Sequence, residues 1–161
     1  MSFTEDNYEK ALIALFEQMG YQHLYGPDIE RDYYVPFYEE QLLTSLGNLN
    51  RGKPRAAIQE AIAKLKDIDT GSLNQKNELF MDYLQHGVEV SYFDGKEQRN
   101  DLVYLIDYDH TERNDFQIVN QWTFVEHSEK RADLIVFVNG LPLVVMELKS
   151  PSRKETDASE A

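Results

Sequence analysis

An α/β fold, with helices packed on a mixed sheet of about five strands, is predicted by a change of period along the chain. Up to residue 87 the apolar residues recur at helical spacing, and from residue 88 they alternate with period two. The last two apolar runs, 132–138 and 142–149, are apolar on both faces, as strands covered on both sides are. A chain of 161 residues with 42% hydrophobic and 28% charged residues suits one domain with its own core, expected over 1–150.

Taking the elements in order, 4–19 reads as an amphipathic helix. Tyr8, Ala11, Leu12, Leu15, Phe16 and Met19 share one face, Ser2 or Thr4 can cap it, Glu5 and Asp6 suit its positive end, and Gly20 stops it. Glu9 lies at the edge of the apolar stripe and on pattern alone reads as a solvated flank residue. Residues 21–36 read as loop, with Gly26, Pro27 and Pro36; the acids Asp28, Glu30 and Asp32 lack the spacing of a calcium loop and read as solvated. Helices follow over 37–47, 54–68 and 75–86, the last capped by Asn74 and ended by Gly87. Arg51, Lys53 and Arg55 form a basic cluster in a polar turn, read as solvated.

Strands are expected over 88–94 and 102–107, joined through Asp94–Gly95, and over 116–126, with Phe116, Ile118, Asn120, Trp122 and Phe124 on one face. The acidic run Asp107, Asp109, His110, Glu112 and Asp115 has no ligand spacing and reads as a solvated loop. His23, His86 and His127 stand apart from one another without a ligand signature. The residues after Pro151, SRKETDASEA, have the composition of a disordered tail or linker.

Composition excludes several functions. The absence of cysteine rules out disulfides and thiolate zinc sites and points to a reducing cytoplasm. The acidic start, MSFTEDNYEK, has no apolar signal region, and no apolar run approaches the roughly 20 residues of a membrane helix. A net charge of −13 predicts poor binding to nucleic acid by this chain alone, because phosphates are gripped by Lys and Arg.

The stretch ADLIVFVNGLPLVVMELKSP, 132–151, carries the chemistry. It sets Asp133, Glu147 and Lys149 among aliphatic side chains, which is costly unless the charges are paired or bind a metal. Two carboxylates and the backbone carbonyl of Leu148 offer the hard oxygen donors that magnesium prefers, and Lys149 points to the same side of a strand as Glu147. Such a set can serve phosphodiester hydrolysis, with the ammonium stabilising charge on phosphoryl oxygens. Strand geometry adds a condition. A two-residue Asn139–Gly140 turn opposes Asp133 to Met146 and leaves Glu147 on the wrong face, so convergence requires an odd-length loop or a bulge. A structural salt bridge would account for the same three residues.

The string VNGLPLVVMELK, with LIDYDHTERNDFQIVNQWTF and NELFMDYLQHGVEV upstream, resembles the PD-(D/E)xK nuclease motif of the restriction (R, HsdR) subunit of type I restriction enzymes. The likeness covers most of the chain, more loosely before residue 70. It implies a restriction-endonuclease-like fold and a magnesium-dependent endonuclease domain (Mn2+ as a substitute) of an ATP-driven translocase acting on double-stranded DNA with modification and specificity subunits. It implies Asp133, Glu147 and Lys149 as the catalytic triplet. Asp133, Glu147 and the Leu148 carbonyl would be metal ligands, and Glu9 an additional candidate with Glu5 as its rival. Gln121 lies near the implied site without a catalytic role.

Ala132 replaces the usual proline-like residue. The Gln-x-x-x-Tyr helix that completes such nucleases and the phosphate-binding loop of a motor are both missing, so a fragment with an underpacked sheet face beside 142–149 is expected. A non-catalytic docking module with a nuclease-like fold is the competing reading, and another nuclease of the same fold is a third.

Overall fold

The computed structural model of the chain describes residues 4–68, 70–125 and 127–149. Its helices are α1 (Glu5–Gln18), α2 (Glu39–Leu49), α3 (Arg55–Lys66) and α4 (Leu73–His86). Its strands are β1 (Gln22–Tyr25), β2 (Val88–Phe93), β3 (Gln98–Val103), β4 (Phe116–Val125), β5 (Glu129–Val138) and β6 (Leu141–Met146). The α/β expectation is met, but the expected sheet of about five strands is two sheets, one of four strands in the order β1-β4-β5-β6 and one of two, β2-β3. The chain forms two compact units. One comprises the chain up to Tyr34, Phe116–Phe137 and the chain from Pro142; the other comprises Val35–Asp115 with Val138–Leu141. No helix among the described residues is long and apolar enough to cross a membrane. The tail after Pro151 lies outside the described residues.

The first unit is built on α1. Thr4 caps it by accepting from the Asn7 amide at 3.4 Å. Leu12, Ile13 and Phe16, with Tyr21, pack on Ile118 of β4, Leu134 and Val136 of β5, and on Met146 and Leu148. Burying each large aliphatic side chain contributes about 1.5–3 kcal/mol. Part of the expected loop is a strand. Gln22–Tyr25 runs parallel to β4, with His23 beside Ile118 and Tyr25 beside Asn120. Four residues are too few to display alternation, and the Gly26-Pro27 that follows gives a loop signal.

The alternation expected along β4 is also broken. Ile118 joins Leu134 and Val136, whereas Trp122 packs edge-to-face with Phe137, whose side chain alternates against Val136, at 4.7 Å between centroids. Arg31 lies over the Trp122 ring at 3.5 Å and donates to the Thr123 carbonyl. The break falls at Gln121, whose φ is +56°, in the left-handed region that few non-glycine residues adopt.

In the second unit, α2, α3 and the β2–β3 ribbon bury Leu42, Leu46, Ala57, Ile58, Ala61, Leu65, Val88, Val90 and Val103. Helix α4 starts at Leu73, two residues earlier than the expected cap at Asn74 allows. Ser72 is its cap, and Ser72 and Gln75 bond each other's backbone amides as a capping box. The second ribbon strand is Gln98–Val103 rather than 102–107. Asp94 accepts from the amides of Lys96 and Glu97 and tightens the turn, so the polar QRNDLV pairs with β2 despite carrying little apolar signal. Lys53 is paired with Asp101 at 2.5 Å, while Arg51 and Arg55 are exposed.

The β5–β6 turn residues Asn139 and Gly140 have φ of +53° and +83°, as the two central residues of a type I′ turn require. Asn139 is fully buried. It donates to the Leu105 carbonyl and Asn114 Oδ1, and its Oδ1 accepts from the Asp115 amide. Asp115 also accepts from Ser45 and Gln41, so the end of the expected solvated loop is packed, while 108–113 is exposed.

Candidate active site

Every candidate residue lies in the first unit. Asp133 sits in β5 between the buried Ala132 and Leu134, which holds its carboxylate at the edge of the core. Strand β6 ends at Met146, so Glu147, Leu148 and Lys149 follow it without ladder pairing. The Leu148 side chain is anchored in the apolar cluster under α1, and its backbone amide donates to Asp133 Oδ2 at 2.7 Å. That bond ties the segment after β6 to β5.

Glu147 directly precedes Leu148, whose amide is bonded to Asp133, which brings its carboxyl beside that of Asp133, and the Lys149 ammonium acts on it from the other side of Leu148 in the chain. Partial burial of its carboxyl, and then the Asp133 carboxylate, raise the Glu147 pKa above its ordinary value; Lys149 opposes the rise. The three residues singled out from the sequence are therefore brought together.

Of the two expected routes to convergence, an odd-length loop or a bulge, the structure does not take the first. The loop has two residues, and unbroken alternation from it would set Met146 on the side of Asp133. Instead Met146 and Leu148 pack with Leu134 and Val136, which alternate against Asp133. The side-chain parity has shifted by one within β6, and the consecutive exposed residues Val144 and Val145 mark where alternation fails. Glu147 consequently emerges on the side of Asp133.

Glu9 is the one half-buried acid of α1; Glu5, its rival, is exposed in the first turn. Both Glu9 oxygens are held, Oε1 by Asn120 Nδ2 at 2.7 Å and Oε2 by Gln121 Nε2 at 2.9 Å. Asn120 is buried, and its Oδ1 faces His23 Nε2 at 3.0 Å. A carboxylate can only accept, so the Asn120 amide nitrogen must face Glu9, and its oxygen then receives the His23 Nε2–H. His23 is thus joined to a polar network instead of standing isolated. Nothing in the local sequence marks Asn120 as a partner of Glu9 or His23 as a partner of Asn120; the parallel pairing of β1 with β4 brings His23 to that strand.

Two carboxylates side by side whose repulsion raises a pKa are a donor set that a divalent cation would relieve. No group of three or more His, Asp or Glu side chains among the described residues is gathered closely enough to hold a metal ion. Magnesium needs no more than one or two carboxylates, since it keeps several waters.

The chain matches the family model described as the type I restriction enzyme R protein N terminus over residues 2–161. It is similar to the type I restriction enzyme HindI endonuclease subunit of Haemophilus influenzae, 32% identical over 98% of this chain and 16% of that protein. It is also similar to the type I restriction enzyme EcoprrI endonuclease subunit of Escherichia coli, 27% identical over 91% of this chain and 44% of that protein. The chain thus spans 16% of the length of the first relative and 44% of the second.

Proposed function

The chain belongs to the family of type I restriction enzyme R protein N-terminal domains, and we propose that it is the magnesium-dependent endonuclease domain of such an enzyme, hydrolysing phosphodiester bonds of unmodified double-stranded DNA. The observation that carries this reading is the convergence of Glu147 on Asp133 beside Lys149, at the expense of a raised Glu147 pKa. Buried or crowded carboxylates that pay such a penalty mark functional sites more often than structural ones.

Asp133 and Glu147 would hold the cation, with the Leu148 carbonyl as a third oxygen and water filling the remaining positions. A magnesium ion held by these oxygens would supply Lewis-acid chemistry, polarising a phosphate and lowering the pKa of an attacking water. The residues of the chain do the rest. The Leu148 amide fixes the orientation of Asp133, and its anchored side chain fixes where Glu147 and Lys149 leave the sheet. Lys149 balances the two carboxylates and supplies a positive charge where negative charge develops on phosphoryl oxygens.

ATP-driven translocation and most of the grip on DNA belong, in this reading, to other parts of a longer R subunit and to the modification and specificity subunits. The test is plasmid cleavage by the assembled restriction complex. Glu147→Ala and Lys149→Ala should each lower cleavage by at least about 100-fold while ATP hydrolysis continues. Undiminished cutting by Glu147→Ala would favour a docking module that keeps the nuclease fold without its chemistry.

A further inference from the structure

Consecutive residues of a regular strand point to opposite faces of the sheet. Asn120 and Gln121 do not. Both side-chain amides reach the same carboxylate, one on each oxygen of Glu9. The backbone of Gln121 makes this possible, since its φ of +56° turns the side chain back to the side of Asn120. Such a conformation costs a non-glycine residue of order 1–3 kcal/mol and persists only where the surroundings impose it.

Gly26 is part of what imposes it. A Cβ built there would lie 2.8 Å from the Gln121 carbonyl oxygen and 2.9 Å from that of Asn120, so the chain after β1 approaches this strand more closely than any other residue would permit. His23 completes the arrangement by donating its Nε2–H to the Asn120 oxygen that Glu9 leaves free.

Glu9 is carried by the helix whose Ile13 shares a buried cluster with Leu134, and Met146 and Leu148 pack on that same cluster; these three are the chain neighbours of Asp133 and Glu147. Glu9 is not gathered with those acids into a three-carboxylate group. Each Glu9 oxygen accepts one amide and retains a second acceptor direction. We propose that Asn120 and Gln121 are positioning residues that hold the Glu9 carboxylate for the hydration shell of the cation on Asp133 and Glu147. Glu9 then acts through water, and Gln121 acts through Glu9. This rests on the metal-site reading given above.

The test uses the 161-residue chain and Mn2+, titrated by calorimetry, with thermal unfolding of every variant. Gln121→Gly is the decisive substitution, because glycine relieves the left-handed backbone while removing the amide. The expected result is Mn2+ affinity about 10-fold weaker, the lower end of what loss of an outer hydrogen bond to a metal site costs, with Tm unchanged or higher. Glu9→Gln should weaken binding to a similar degree, and the double variant should be no weaker than Glu9→Gln alone.

If Gln121→Gly binds Mn2+ like the wild type while Glu147→Ala does not bind, the positioning role is wrong and the metal site stands. If affinity falls only where Tm falls, Gln121 is structural and the proposal is overturned. If the wild type binds no Mn2+, or Glu147→Ala binds as well as wild type, the metal-site reading and this inference fail together.

Discussion

The Leu148 amide donates a 2.7 Å hydrogen bond to the Asp133 carboxylate, joining the segment beyond β6 to the middle of β5. This bond stands where ladder pairing has ended. It lets an acid outside any strand take a defined place beside an acid within one, and it leaves Glu147 and Asp133 competing for the same local potential.

That competition has a measurable effect on stability. The folded chain holds Glu147 protonated to a higher pH than an unfolded chain does, so ionising it weakens the fold. The penalty is absent below the ordinary value of about 4.5, where the group is protonated in both states, and complete above the raised folded pKa. Glu147→Gln should therefore raise Tm at pH 7, by no more than about 2–4 °C for a domain of this size, since water screens an exposed carboxyl. The gain should disappear when unfolding is followed at pH 4. A lower Tm for Glu147→Gln at pH 7 would show that its charge is stabilised rather than opposed.

The hairpin tip should tolerate little. A Cβ on Gly140 would stand 2.5 Å from the Leu42 nitrogen and 2.7 Å from the Tyr38 carbonyl oxygen, at a φ of +83°. Gly140→Ala should cost at least about 2 kcal/mol, from overpacking against backbone with added strain. Asn139→Ala, which strands the buried partners at Leu105, Asn114 and Asp115, should cost about 2–4 kcal/mol in urea unfolding.

Gly26→Ala should cost about 1–3 kcal/mol, because its Cβ would meet two backbone carbonyls that cannot swing aside as a flexible side chain can. The same push falls on Asn120 and Gln121. Mn2+ affinity measured well below the lowered Tm should therefore fall together with stability, in contrast to Gln121→Gly.

The isolated chain should cut DNA negligibly. With a net charge of −13 it repels the phosphate backbone, and binding by gel shift should be undetectable at physiological salt. Robust magnesium-dependent nicking of plasmid by this chain alone would contradict the division of labour proposed here.

The helices and the pair of closing strands were legible because their signals are local. The 3.6-residue stripe of α3 and the two-sided apolar run of β5 follow from which residues must be buried. On α1 the expected Tyr8, Leu15 and Met19 are exposed and Ile13 is buried instead. Strand β6, expected to be covered on both faces, is an edge strand that exposes Val144 and Val145. The triplet was singled out as three charges buried among aliphatic side chains, but only Asp133 is half-buried. Glu147 and Lys149 are exposed, and the anchored Leu148 between them is what brings them to Asp133. What stayed hidden depends on partners distant in the chain. Strand β1 exists because β4 accepts it, and QHLY carries no pattern of its own. The turn at Gln121 depends on Gly26, nearly a hundred residues away. Of the two routes to convergence, an odd-length loop or a bulge, the first is closed because Asn139–Gly140 is strongly suited to a two-residue turn, and the exposed pair Val144–Val145 is where the strand can absorb the offset.

The most direct measurement is a calorimetric titration of magnesium into the wild-type chain and Glu147→Ala. The wild type should bind with release of protons at pH values near the raised Glu147 pKa, since the cation displaces the proton that Asp133 helps to retain. Glu147→Ala should show no such binding. Equal magnesium binding by both proteins, or none by either, would contradict a carboxylate metal site at Asp133 and Glu147.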